Sequence, residues 1–66
     1  MIPLTPRQRT IVEMVGEGRT YVQIAKRLKI SKHTVRTHAR LVYARLDTEL
    51  PLRSALVELY WTKLKG

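Results

Sequence analysis

Between Lys32 and Arg40 a cation recurs at every fourth residue, Lys32, Arg36 and Arg40, with His33, Thr34 and Thr37 interspersed. In a helix, residues four apart share a face. That face would combine positive charge with hydrogen-bond donors and hold no carboxylate to neutralise them. Its chemistry is anion and base recognition. Lys and Arg can hold phosphate oxygens or the guanine acceptors, Thr and His can add hydrogen bonds, and Thr methyls can touch thymine. Upstream, Thr20 and Tyr21 bring two hydroxyls to an expected helix start, where unpaired backbone N–H groups favour a phosphate.

The segment that must position these side chains reads as a helix over 32–46. Ser31 can cap it by accepting from an otherwise unpaired backbone N–H. Ile30 and Val35 flank the cap as a hydrophobic staple. Val35, Ala39, Val42 and Leu46 recur at helical spacing and make one apolar stripe, so the cations opposite must face outward. Thr20 with Gln23 forms a capping-box pattern for a short helix over 21–28, whose inner face is Ile24, Ala25 and Leu28. A small residue such as Ala25 lets a crossing helix approach closely. Lys29-Ile30 must then turn tightly: either Lys29 accepts a left-handed conformation at a cost of roughly 1–2 kcal/mol, or the turn differs slightly.

The remaining elements supply the core. Thr5-Pro6-Arg7-Gln8 is a helix start with a cap, a proline at the first position and a second capping box. A helix over 6–17 buries Ile11, Val12, Met14 and Val15, and Gly16 and Gly18 end it, Gly18 as the left-handed terminator. Met1 to Leu4 read as a short arm. Asp47 to Pro51 is a connection, because the residue before proline is pushed out of the α region. The next helix restarts either with Thr48 as cap and Pro51 in the first turn or at Pro51 itself; over 52–64 this fourth helix turns Leu52, Ala55, Leu56, Leu59 and Tyr60 toward the core. The fold class is all-α: a four-helix bundle with a helix-turn-helix, in one domain over 1–66.

Composition narrows the function classes. The chain has 66 residues, 13 Lys and Arg against 5 Asp and Glu, and a formal net charge of +8. A chain this small buries only about 60% of its unfolded surface, so its core is marginal. It has no cysteine, which removes disulfides and thiolate metal sites. No apolar run approaches the roughly 20 residues that span a bilayer, and the first residues lack the order of a signal peptide. The expected location is cytoplasmic. An excess of cations implies an anionic partner, double-stranded DNA before a membrane surface. His33 and His38 are five apart and diverge around a helix, a poor metal pair. Ser31 and Ser54 have no adjacent His and Asp to activate them, and no glycine-rich phosphate loop is present. Neither enzyme nor cofactor is expected.

Leu4-Thr5-Pro6-Arg7-Gln8, Gly18-Arg19-Thr20, Gln23-Ile24-Ala25, Leu28, Ile30-Ser31, Thr34-Val35-Arg36-Thr37-His38 and Arg45-Leu46 resemble the LuxR/GerE-type helix-turn-helix domain in one register. The resemblance covers roughly residues 4–61. It implies a tetrahelical domain that binds bacterial promoter or operator DNA as a dimer, with the third helix in the major groove and the fourth at the dimer contact. By position it implies that Thr34, Arg36 and His38 face DNA or its phosphates. Leu41 stands where the family commonly has Asn, Asp47 where glycine usually follows the helix, and the segment 49–53 is one residue longer. The chain is then a stand-alone regulator or an excised domain. A second resemblance, to the promoter-binding region of sigma factors, fits three helices and explains the fourth less well.

Val57, Trp61 and Leu64 make a second apolar stripe on the fourth helix. It suits the same helix of a second copy, giving a homodimer. Alternatively, Trp61 folds back onto the first helix. The competing function is a small adaptor that binds RNA polymerase or another regulator through this stripe. A membrane-binding peptide is disfavoured, because the basic helix lacks interfacial aromatics.

Overall fold

Side-chain caps set three of the helix starts. The computed structural model describes residues 3–65; Met1, Ile2 and Gly66 lie outside the described residues, so the expected arm is seen only at Pro3 and Leu4. Helix α1 (Pro6–Gly16) starts at Thr5, whose side chain accepts from the Gln8 N–H while the Gln8 side chain accepts from the Thr5 N–H. Helix α2 (Tyr21–Leu28) repeats this box with Thr20 and Gln23. Helix α3 (Lys32–Tyr43) starts at Ser31, which accepts from the Thr34 N–H at 3.0 Å. Helix α4 (Leu52–Leu59) has Pro51 before it and no side-chain cap.

The helix ends are equally local in origin. Gly18 has φ +95°, and the Gly18 and Arg19 N–H groups donate to the Val15 and Met14 carbonyls. Lys29 takes the left-handed conformation, φ 58° and ψ 43°, while Lys29 and Ile30 donate to Lys26 and Ala25. Both are Schellman terminations, which satisfy the last carbonyls of the helix. The second one makes the tight turn between α2 and α3 with a lysine in place of glycine.

Ile11, Val12, Val15, Ile24, Val35, Ala39, Val42 and Leu56 are fully buried and form the centre, with Ala25 and Leu59 nearly so. The α1, α2 and α4 helices thus enclose the inner stripe of α3. Ala25 and Ala39 keep side-chain volume small where α2 and α3 meet.

Helix α1 stops at Gly16, one residue short of the expected 17, and two boundaries differ by more than that. The third helix stops at Tyr43, not 46: the Arg45 and Leu46 N–H groups donate to carbonyls three residues back, tightening the end into a turn. Leu46 still packs on the core from that turn. The fourth helix is α only to Leu59, and Tyr60–Leu64 form a π-helical turn with Lys65 N–H donating to the Tyr60 carbonyl. The wider turn rotates each residue by less than the roughly 100° of an α-helix. Leu64 therefore leans on the core, as Val57 does from α4, while Trp61 points out, 54% exposed. Trp61 does not fold back onto α1. Tyr60 does, with its ring against Gly16, where an added Cβ would collide with it. Gly16 thus serves close approach, and Gly18 alone serves the left-handed turn.

Substituting Gly16→Ala should lower stability by about 1–3 kcal/mol through overpacking against Tyr60, although alanine is the better helix former. Lys29→Gly should raise stability by about 1 kcal/mol, because glycine removes the left-handed strain. Urea unfolding followed by circular dichroism checks both; a stabilised Gly16→Ala variant would contradict the Tyr60 contact.

Candidate nucleic-acid interface

Burial of one side of α3 leaves two adjacent rows on the other. Lys32, Arg36 and Arg40 form the first row, and His33, Thr37 and Leu41 the second; all six are exposed. The helix has 12 residues and is about 18 Å long, against a B-DNA major groove about 12 Å wide. No carboxylate lies between Glu17 and Asp47, a stretch holding eight Lys and Arg residues. The nearest acid upstream, Glu17, is paired with Arg19 at 3.6 Å. The positive field over α2 and α3 is therefore not cancelled locally.

The hydroxyls have defined local roles. Thr37 Oγ1 donates to the His33 carbonyl at 3.0 Å, which fixes its rotamer. Thr34 is half-buried and its hydroxyl pairs with Ser31 Oγ at 2.8 Å, so it braces the start of α3. His38 is half-buried, with Nδ1 shielded from solvent and without a hydrogen-bond partner among the described residues. Thr34 and His38 share the shoulder between the core stripe and the cationic row. Thr20 Oγ1 caps α2 by accepting from the Gln23 N–H at 3.1 Å. The Tyr21 and Val22 N–H groups are among those a helix start leaves unpaired. Thr20, Tyr21, Val22, Lys32, Gly18 and Arg53 line one open cleft.

Thr20, Tyr21 and Lys32 thus come together at this cleft, and Arg36, Thr37, Arg40 and His33 lie along α3 beyond it. Val57, Trp61 and Leu64 sit on the C-terminal segment and do not join them. Two residues of this surface escape sequence reasoning. Leu41, 51% exposed, extends the row of His33 and Thr37, and its spacing was a usable signal. Arg53 reaches the cleft only through the tertiary fold.

A short helix, a left-handed turn and a second helix with an outward cationic row define a helix-turn-helix module. The chain belongs to the family of bacterial regulatory proteins of the luxR type, which it matches over residues 2–56. It is 49% identical over 55 residues to a protein of Mycobacterium tuberculosis named as an HTH-type transcriptional regulator, a match covering 83% of this chain and 6% of that protein. It is 45% identical over 58 residues to the monoamine regulon transcriptional regulator of Klebsiella aerogenes, covering 88% of this chain and 25% of that protein. The chain therefore spans a small part of the length of either relative. No solved structure is significantly similar to it. Among the described residues, no helix is long and apolar enough to cross a membrane.

Loss of the α3 cap should be felt directly. Ser31→Ala should cost about 1 kcal/mol of stability, read as a lower urea midpoint; an unchanged midpoint would mean that the Thr34 N–H finds another acceptor.

Proposed function

We propose that this chain is the DNA-binding module of a transcription regulator, with α3 in the major groove of double-stranded DNA. The carrying observation is the exposed row of Lys32, Arg36 and Arg40 on a helix whose opposite stripe is fully buried. Arg36 and Arg40 contact guanine acceptors or phosphates, with Thr37, His33 and Leu41 beside them for hydrogen bonds and thymine methyls. Thr20, Tyr21 and Lys32 hold the backbone at the start of α2, and Thr34 and His38 flank the same strand. Such contacts bind anions and shape without chemical conversion, so the module is not an enzyme. It works in the cytoplasm, on the nucleoid.

The module pairs through its C-terminal segment. Trp61 supports this: among the described residues it is the most exposed of the large apolar side chains, steadied by Tyr60 edge-on at 5.4 Å and by the Lys65 ammonium at 5.1 Å from its ring. Val57 and Leu64 add the half-buried margins of that patch. Two modules with extents of 28 × 22 × 20 Å fit half-sites about 34–36 Å apart, one turn of the duplex. The same tryptophan would serve a heterologous partner such as RNA polymerase if the module is monomeric.

On a duplex selected from a random pool, Arg36→Ala and Arg40→Ala should each weaken binding by about 1–3 kcal/mol; unaltered affinity in both variants would reject the α3 face. Binding should also weaken steeply with salt, by a log–log slope of about −0.9 per phosphate neutralised, whereas a flat titration would argue for a protein partner. In sedimentation, Trp61→Ala should shift the parent toward monomer, and an unchanged distribution would remove the homodimer.

A further inference from the structure

The fourth helix carries a cation in its first turn, at the other end of the C-terminal segment from Trp61. Arg53, in the first turn of α4, donates through Nη2 to the carbonyl of Arg19 in the loop before α2. Its guanidinium also lies over the Tyr21 ring, 5.8 Å from the centroid. It lines the cleft shared by Thr20, Tyr21 and Lys32, so the starts of α2, α3 and α4 meet there. Both charged groups of the cleft are cations, and among the described residues neither is within ion-pair distance of a carboxylate.

A strut between α4 and the α1–α2 loop needs a single hydrogen bond to Arg19. A guanidinium carries five donors, and the rest of this one is exposed beside Lys32. Its planar fork matches phosphate oxygens better than any other side chain. The Arg19 carbonyl and the Tyr21 ring already restrict its rotamers, so less conformational freedom is lost when an anion arrives. A cation held in place, next to a second cation and with no counter-charge, is arranged for an anion from outside the chain.

We propose that Arg53 is a phosphodiester contact of the duplex, delivered from α4 and acting with Lys32 on the strand that crosses the start of α2. This rests on the DNA-binding reading given above. It makes α4 part of the DNA interface at one end and of the pairing patch at the other. The pose of α4 is thereby linked to the bound strand.

The test uses anisotropy of a labelled random-sequence duplex between about 50 and 200 mM salt, with circular dichroism to confirm folding. Arg53→Gln should stay folded, bind roughly five- to tenfold more weakly at about 0.1 M salt, and lose about 0.9 from the log–log salt slope. Arg53→Lys, which keeps the charge, should retain the slope. A folded Arg53→Gln protein with the parent slope would overturn the proposal, because a strut alone does not change the number of counterions released. Should Arg53→Gln fail to fold, the unaltered chain still decides. On titration with duplex its Arg53 Nε–H resonance should shift along with those of Arg36 and Arg40. An Arg53 signal that stays while the other two move overturns this contact alone. If none moves, the DNA-binding reading itself fails.

Discussion

Burial of Val35, Ala39 and Val42 constrains the rest of the molecule. All three are fully shielded, and on a helix the residues opposite a buried stripe have no choice but to face out. Sealing that stripe takes α1, α2 and α4 together, because a chain of 66 residues has little apolar surface to spare. The cationic row of α3 is thus a consequence of core packing. A change that loosened the core would blur the row's orientation before it touched a single cation.

The segregation of charge is the second half of the same design. Carboxylates sit on α1, at the residue just after it, in the α3–α4 connection and on α4, while α2, the turn and α3 hold none. One side therefore projects an uncompensated positive potential that can steer a polyanion toward it. Thr34 and Thr37 spend hydroxyl capacity on Ser31 and the backbone, which stiffens the helix start. Rigid placement of this kind favours precise base contacts over adaptable ones.

Much of the architecture was legible in local sequence, for local reasons. The two capping boxes, the Ser31 cap, the left-handed Gly18 and the left-handed Lys29 each depend on residues within a few positions of one another. The family resemblance was legible for the same reason, since its motifs are mostly caps, turns and core spacings. What was not legible depends on distant partners. The end of α3 follows Tyr43, whose hydroxyl donates to the Leu50 carbonyl at 2.7 Å, and Arg45, which reaches the Pro3 carbonyl. The π turn places Tyr60 on Gly16; periodicity turned Tyr60 toward the core without naming Gly16 as its partner, and it left open whether Trp61 folds back onto the first helix. Arg53 meets Arg19 and Tyr21 across about half the chain, so no spacing rule could have put it in the cleft.

Insertion of α3 into the major groove is tested most directly by methylation interference on a duplex selected by the chain from a random pool. Guanine N7 opens onto the major groove and adenine N3 onto the minor groove. Methyl groups at guanine N7 within the bound site should block binding, with little effect from adenine N3. Interference at adenine N3 alone, or at neither position, would contradict the placement of Arg36 and Arg40 against base edges.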